Sequence, residues 1–410
     1  MRRTLRSAGI GVIAATLGFG ALLAVNPAHA ASQTITVWVD QTRIANYREV
    51  FPDGTYAGYN VNLVPKDFGK IRDDLATVSA DSAPDVITGA HDWTGALAAN
   101  GLIVKLNVPA ATVQALFPYA LNGFKYAGAT YGIPTQIENV AMITNAKLIP
   151  TQPTNFTQLS TMALALKKAG KVTVPFAVPQ GANGDAYHMY PLFSGLGGYV
   201  FGITPSGSLN VRNVGLDNPT FRKNQDLINQ WNKSGLINSK VDYGIAKTAF
   251  TTGKSPFWST GPWELDAIKA LPFKYRVTTV PNIVPGLTPV PFLGAQGGMV
   301  TKYAAEHGVQ TGANAMVTQL FASAAYQSKL AAADGRTPAN IQAAKAVTDP
   351  VLKAFSAASG GGVPMPNVPQ MASVWGALGG AWVNSTKGAG ATPAQKSFAQ
   401  AQATVKKAIG

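Results

Sequence analysis

The chain has no cysteine among its 410 residues. This absence excludes disulfide bonds, thiolate metal sites and a cysteine nucleophile, and it leaves no cysteine for an N-terminal lipid anchor. Charged residues are also scarce, at 13% of the chain, and acids (19) are fewer than bases (33). Because the lysines and arginines are scattered rather than clustered, this basic balance does not indicate a nucleic-acid-binding surface.

The first 30 residues have the order of a secretory signal peptide. Three arginines within residues 2–6 precede an uncharged stretch over 8–25, and Ala28-His29-Ala30 follows it. This order predicts export and cleavage after residue 30. An uncleaved anchor is the alternative, because 18 uncharged residues approach the length of a bilayer span. We expect residues 1–30 to be removed and the protein to be periplasmic or associated with the cell envelope.

The sequence contains no complete catalytic motif. No G-x-S-x-G nucleophile elbow occurs, and the histidines after residue 30 lack the H-x-x-x-H spacing of hydrolytic zinc sites. We therefore predict no catalytic residue, no metal and no cofactor. A secreted glycosidase is the enzymatic alternative, because carboxyl groups such as Glu138 and Glu264 could come together in the folded chain.

Alternation of apolar and polar residues predicts strands over 35–40, 59–64, 84–87, 171–177 and 275–280. Residues 71–78 have helical spacing, so the second and third of these strands belong to a parallel β-α-β unit. The last third is rich in alanine and predicts helices over 313–333, 338–347 and 393–409. About 380 residues follow residue 30, which is too many for one compact core, so we predict an α/β protein of two lobes.

Aromatic residues stand beside single acids in segments rich in glycine and proline. A pyranose ring has apolar C–H faces and a rim of hydroxyls; aromatic faces match the first, and carboxylates accept hydrogen bonds from the second. Such pairs therefore indicate a carbohydrate-binding cleft, and clefts between lobes are common ligand sites. The pairs are Asp92/Trp93, Asp185/Tyr187 and Trp263/Glu264.

The apolar core is the alternative position for each of these aromatic residues. Glu138 is a single acid in the apolar segment Ile-Glu-Asn-Val, so it is either half of a structural ion pair or a ligand contact. The tryptophans in apolar segments, which we assign to the core, are Trp38, Trp231 and Trp382. Those in polar or turn-rich segments, which we assign to the cleft, are Trp93, Trp263 and Trp375.

Several segments together resemble the maltose/maltodextrin family of extracellular solute-binding proteins of ABC sugar importers. The most specific are A-F-T-T-G-K at 249–254, followed by G-P-W at 261–263, and M-P-N-V-P-Q-M at 365–371, followed by Trp375. Other similar segments bring the resemblance to nearly the whole mature chain: 84–92, 131–150, 191–199 and 292–298.

The resemblance implies an α/β fold of the periplasmic-binding-protein type II. In that fold two discontinuous lobes meet at a hinge and close on a ligand in the cleft between them. The first lobe would contain residues 31–137 plus about 296–347, and the second about 138–295 plus 348–410. The hinge is expected near residues 136–142, 292–298 and 347.

The resemblance also implies a monomer that binds a malto-oligosaccharide, which could be maltose, maltodextrin, or a longer or cyclic α-glucan. The protein would deliver this sugar to the membrane permease of an ABC importer without catalysis. A binding protein for another oligosaccharide or a polyol is the alternative. No nucleic acid is expected as a partner.

Family contact roles carry over to individual residues of this chain. Trp93 stands where some members have Arg, and Gln41 and Arg43 occupy the first strand-to-helix loop, where members contact sugar. The expected hydroxyl acceptors are Asp92, Glu138 and Asp185, and the expected stacking surfaces are Tyr187, Trp263 and Trp375.

Overall fold

A computed structural model of the protein describes residues 33–410. The predicted signal peptide, residues 1–30, lies outside the described residues. The strands are β1 (Thr34–Asp40), β2 (Thr55–Tyr56), β3 (Tyr59–Lys66), β4 (Val86–Ala90), β5 (Lys125–Tyr126), β6 (Ala129–Thr130), β7 (Gly132–Glu138), β8 (Ala141–Asn145), β9 (Phe201–Ile203), β10 (Leu209–Val214), β11 (Phe257–Thr260), β12 (Tyr275–Thr278), β13 (Phe292–Val300), β14 (Thr337–Pro338) and β15 (Val363–Pro364).

The helices often begin at a side chain that accepts a backbone N–H of the first turn, as Asp185 does for α7 and Asp242 for α10. They are α1 (Ile44–Val50), α2 (Ile71–Thr77), α3 (Thr94–Ala99), α4 (Ala110–Ala115), α5 (Pro118–Gly123), α6 (Phe156–Lys168), α7 (Ala186–Gly195), α8 (Pro219–Asn224), α9 (Asp226–Ser234), α10 (Tyr243–Thr251), α11 (Leu265–Lys269), α12 (Tyr303–Glu306), α13 (Gln310–Ala315), α14 (Ala324–Asp334), α15 (Ile341–Lys345), α16 (Pro350–Ala358), α17 (Met371–Thr386) and α18 (Ala394–Ile409). No helix within residues 33–410 is both long and apolar enough to cross a bilayer.

The large sheet has the strand order β14-β7-β13-β4-β1-β3-β2. Strand β1 pairs in parallel with both β3 and β4, with α1 and α2 in the two connections. The predicted parallel β-α-β unit is therefore confirmed. Strand β13 returns from much later in the chain and runs antiparallel between β4 and β7.

A smaller antiparallel sheet has the order β11-β8-β12. Successive residues of β8 point to opposite faces, so Met142 packs in one apolar cluster while Ala141 and Ile143 pack in another. The strand predicted over 171–177 is wrong, since only Ala177 forms a bridge, to Trp258. Pro175 lies in the middle of this segment and has no N–H to donate to a sheet.

The apolar core is divided in the same way as the sheets. The first core packs residues 35–133 and 295–339 around the large sheet. The second core, together with the cluster on the other face of the small sheet, packs residues 141–292 and 351–405. Each side is thus assembled from discontinuous segments, while the lobe bounds given above stay a prediction. The predicted core tryptophans Trp38, Trp231 and Trp382 are all buried.

The buried carboxylate of Asp85 connects β1 to His307 at the edge of the first core. His307 Nδ1 donates to Asp85 Oδ1 at 2.7 Å, and His307 Nε2 donates to the carbonyl oxygen of Ala80 at 3.0 Å. Both partners are acceptors, so both ring nitrogens carry protons and the imidazole is charged. Burial alone would lower the pKa of His307, but the bonds to Asp85 and Ala80 raise it above the ordinary value of 6.5. The second oxygen of Asp85 accepts the backbone N–H of Thr36 in β1 at 2.7 Å.

We expect the free energy of unfolding to fall as the pH rises through the raised pKa of His307. The folded protein holds this proton more tightly than the unfolded chain, so the contribution is complete below pH ~6.5 and is lost above the folded pKa. Urea unfolding at about pH 6 and about pH 9 measures the difference. His307→Gln should show a smaller loss over the same interval, and an unchanged loss would contradict this assignment.

Candidate functional site

Strand β13 brings two predicted site acids to the same end of the large sheet. Asp92 follows β4 in a short helical turn, and Glu138 is the last residue of β7. Both strands are antiparallel neighbours of β13, whose Gln296 lies opposite Ala90 and whose Gly294 lies opposite Glu138. The same end of β13 contacts the second core through Phe292. Side chains from both cores therefore meet around these two acids.

Asp92 links the first core to α17. Its Oδ2 accepts a hydrogen bond from Trp375 Nε1 at 3.0 Å, and the carboxylate is buried. Burial raises the pKa of Asp92 above its ordinary value, against the opposing influence of His91 and of this hydrogen bond. Asp92 and Trp375, predicted separately as an acceptor and a stacking surface, are thus brought into direct contact.

His91 fixes the segment that leads into α17. Its Nδ1 accepts the backbone N–H of Ala295 at 3.0 Å, so its Nε2 donates to the carbonyl oxygen of Met365 at 3.0 Å. Burial lowers the pKa of His91, which suits this neutral ring. Two residues later, Asn367 Nδ2 donates to the carbonyl oxygens of Gly123 at 2.8 Å and Lys125 at 2.6 Å. Residues 365–367 are therefore anchored on the first core.

Glu138 is held by residues that the sequence analysis did not single out. Its Oε2 forms an ion pair with Arg336 Nε, and its Oε1 accepts from Gln296 Nε2 at 2.9 Å. Arg336 also contacts Asp334, with 3.3 Å between Nη1 and Oδ2. Of the two roles considered for Glu138, the structure shows the ion pair. Each carboxylate oxygen keeps a further lone pair, so a ligand contact stays a prediction.

The same network also holds Arg43, one of the residues predicted to contact sugar. The Arg43 guanidinium is buried and donates to Gln136 Oε1 and Asp334 Oδ2. Burial alone would lower the pKa of Arg43, but the Asp334 carboxylate raises it, so the group stays charged. Arg43 Nη2 is bonded within this network, while Arg43 Nε has no hydrogen-bond partner within the described residues, so its ligand contact stays a prediction. Gln41 is exposed, and its side chain makes no hydrogen bond to the site residues within the described part of the chain.

Aromatic rings from the second core line the space beside Glu138. Tyr187 lies 6.1 Å from Trp263 and 6.4 Å from Phe292, measured between ring centroids, and Phe292 lies 5.8 Å from Trp375. Arg336 is 5.6 Å from the Trp263 ring. The structure thus brings together five of the predicted site residues: Asp92, Glu138, Tyr187, Trp263 and Trp375.

Trp263 takes its position because residue 261 is glycine. A Cβ on Gly261 would lie 2.0 Å from the indole, so any side chain there would displace the ring. The indole Nε1 donates to Tyr243 Oη at 2.7 Å, and Tyr243 in turn donates to Glu264. Glu264 also pairs with Lys247 at 2.7 Å. Tyr243 was not singled out in the sequence, although the acid-next-to-aromatic pattern at residues 242–243 was a signal for it.

Trp93 lies in the first core rather than in the cleft to which its sequence context assigned it. Its ring is 7% exposed and packs on Phe68, with 4.9 Å between centroids. A Cβ on Gly89 would lie 2.1 Å from the same indole. Trp263 and Trp375 are only half-buried. Trp93 therefore anchors the turn that contains Asp92 to the first core.

Three buried polar atoms near the aromatic rings have no hydrogen-bond partner within the described residues: Tyr187 Oη, His188 Nε2 and Gln296 Oε1. A buried polar group without a partner costs about 1–3 kcal/mol. Unpaired polar atoms beside flat apolar rings are the chemistry expected where a ligand carries both C–H faces and hydroxyls. No group of three or more His, Asp or Glu side chains within residues 33–410 could hold a metal ion.

Over residues 46–357 the chain matches the model of the bacterial extracellular solute-binding proteins. The chain belongs to this family. This solute-binding protein is 29% identical over 316 residues to a maltodextrin-binding protein of Bacillus subtilis, covering 72% of this chain and 71% of that one. It is 26% identical over 328 residues to a galactooligosaccharide-binding protein of the same organism, covering 77% and 75%.

A solved structure extends the likeness to the fold. The maltotriose-binding protein of Thermus thermophilus, bound with maltotriose, superposes on this solute-binding protein with a TM-score of 0.80 at 27% identity. The match covers 92% of this chain and 100% of that chain. The predicted fold class, an α/β protein of periplasmic-binding-protein type II with two discontinuous lobes, is confirmed.

We expect Arg336→Met to destabilise this solute-binding protein by about 3–5 kcal/mol, because it leaves the buried Glu138 carboxylate without its cation. The double variant Arg336→Met/Glu138→Gln should recover much of that loss, since the uncompensated charge is gone. Chemical unfolding at neutral pH measures both. Arg222→Met is the matched control, because the Arg222 guanidinium is exposed and its partner Asp217, although buried, keeps a hydrogen bond from Gln225; the loss should therefore be much smaller. Equal losses in the Arg336 and Arg222 variants would contradict the assigned role of the buried pair.

Proposed function

We propose that the protein captures a malto-oligosaccharide outside the cell and delivers it to the permease of an ABC importer. The observation that carries this proposal is the set of half-buried rings of Tyr187, Trp263 and Trp375 beside two acids and several unpaired polar atoms. Relatives that bind maltodextrin and maltotriose support the choice of ligand. Membership of an extracellular solute-binding family supports export and the permease partner.

Affinity would come from two complementary contributions. The rings offer flat apolar surface to the C–H faces of glucose units, at about 25 cal/mol for each Å² removed from water. Asp92 and Glu138 are charged acceptors, and hydrogen bonds to charged groups contribute about 1.5–3 kcal/mol each. Because Trp375 and Arg336 already hold these acids in place, the ligand would not have to order them on binding.

The proposed role is binding without catalysis. A glycosidase needs one carboxyl group that donates a proton and a second that acts as base or nucleophile. The two candidates for these roles, Glu138 and Glu264, are each held in an ion pair, Glu138 with Arg336 and Glu264 with Lys247. The matching family and the similar proteins are likewise solute-binding proteins.

A galacto-oligosaccharide is the second candidate ligand, because a relative of nearly equal similarity binds that class. Both classes present stacking faces and hydroxyls, so the rings alone do not separate them. The two classes of sugar differ in the orientation of single hydroxyl groups. The polar atoms around the rings would distinguish these orientations through hydrogen bonds.

We expect maltotriose to bind saturably in isothermal titration, and Trp263→Ala to weaken it about 30-fold. The reason is that truncating a centrally buried aromatic contact costs about 2 kcal/mol. Lys254→Ala, an exposed residue after α10, should bind like the wild type. Heat on adding galacto-oligosaccharide and none with maltotriose would instead support the second candidate.

The proposed mechanism is closure of two lobes, 31–137 plus about 296–347 and about 138–295 plus 348–410, about the hinge. The mature protein is proposed to begin at Ala31, to act as a monomer, and to lie in the periplasm or at the cell envelope.

Solution scattering tests the closure. We expect a smaller radius of gyration at saturating maltotriose, because a ligand that contacts both lobes shifts the population towards the closed state. Identical scattering curves with and without a sugar that titration has shown to bind would rule out lobe closure.

A further inference from the structure

His188 is held from one side by Asp185. The backbone N–H of His188 donates to Asp185 Oδ1 at 3.0 Å, and its ring Nδ1 lies 2.6 Å from Asp185 Oδ2. A carboxylate only accepts, so Nδ1 carries the proton and donates it. Both oxygens of Asp185 are engaged by one residue, which makes Asp185 a helix cap and a positioning group for the imidazole. The predicted role of Asp185 as a ligand acceptor stays a prediction.

The other ring nitrogen, Nε2, lies on the side of the imidazole away from Asp185. It is buried and has no hydrogen-bond partner within the described residues, and His188 as a whole is 6% exposed. The neighbouring rings stand nearly perpendicular to the imidazole: Trp263 at 5.6 Å and 87°, Tyr243 at 5.9 Å and 72°, and Tyr187 at 5.8 Å and 83°.

The polar atoms of two of the three neighbouring rings, those of Trp263 and Tyr243, are already in use. Trp263 Nε1 donates to Tyr243 Oη, and Tyr243 donates to Glu264. A phenylalanine at position 188 would fill this aromatic cluster without burying an unpaired nitrogen. The bond to Asp185 accounts for Nδ1, whereas the unpaired Nε2 is a cost that packing does not explain, since a buried unsatisfied polar group is unfavourable.

We propose that His188 Nε2 is a specificity-determining contact that hydrogen-bonds a hydroxyl of the sugar held beside Trp263, with Asp185 fixing the ring that makes it. The proposal rests on the proposed function and adds a residue to it. A hydroxyl can both donate and accept, so it satisfies Nε2 whether that nitrogen is bare or protonated. An ether oxygen only accepts, and a C–H group does neither, so a bare Nε2 selects for a free hydroxyl at this point of the ligand.

The first test compares wild type with His188→Phe in isothermal titration with maltotriose. The variant keeps a flat ring in the aromatic cluster and lacks the nitrogen, so we expect binding about tenfold weaker, which corresponds to about 1.4 kcal/mol. His307→Gln is the control, because His307 lies at the Asp85 pair and not in the site; it should bind like the wild type. Wild-type affinity in His188→Phe would overturn the proposal. Failure of the wild type itself to bind maltotriose would overturn the proposed function as well.

A second measurement uses the unaltered protein and is independent of how the variants fold. In ¹H–¹⁵N spectra of the histidine side chains, the Nε2 resonance of His188 should shift on adding maltotriose, while the His307 resonances should not. Asp185→Asn should weaken binding and change the wild-type ¹⁵N pattern of His188, because a carboxamide can also donate and no longer fixes the ring proton on Nδ1. An Nε2 resonance that is unmoved at saturating maltotriose would show that the nitrogen only packs against Trp263, and would overturn the proposal.

Discussion

The buried ion pair between Glu138 and Arg336 is the interaction on which the site depends. It joins the end of β7 to the chain just after α14, and through Asp334 it continues to Arg43 at the start of α1. A carboxylate at this depth is tolerated only with a cation and further hydrogen bonds, which Arg336 and Gln296 supply. The ion pair therefore lies at the end of β7, just before β8 begins the second sheet.

The site combines this buried network of charged residues with aromatic rings that lie on the side of the second core. The two sets of residues come from different elements. The acids lie at or just after the ends of strands of the large sheet, whereas the rings lie on α7, on α17 and in the turn after β11. Asp92–Trp375 and Arg336–Trp263 are two of the contacts that cross between them. A ligand in this place would touch both cores at once, which is the requirement for coupling its binding to their relative movement.

Local patterns located several of the elements but few of the partners of the site residues. Alternation located β1, β3 and β4, and the acid-beside-aromatic pattern located Trp263 and Tyr187. Trp93 and Trp263 each lie against a preceding glycine, Gly89 and Gly261, yet Phe68 from a distant turn helps to bury Trp93, whereas Trp263 stays half-buried. Arg336 could not be found from its neighbours, because it reaches Glu138 across 198 residues of chain through the pairing of β14 with β7. Contacts between residues so far apart in the sequence depend on the topology of the sheet and cannot be predicted from local residue spacing.

The anchoring of residues 365–367 on the first core has a mechanical consequence for α17. Asn367 is fixed to carbonyl groups beside α5, and Trp375 lies in the second turn of a helix that runs on to Thr386. If the second core swings about this attachment, the attachment acts as a pivot and the helix as a lever. Displacement grows with distance from a pivot, so the far end of α17 would sweep the larger arc. Trp375 lies near the end of α17 that is closest to the attachment. Its ring can therefore stay beside Asp92 while the other end of the helix moves.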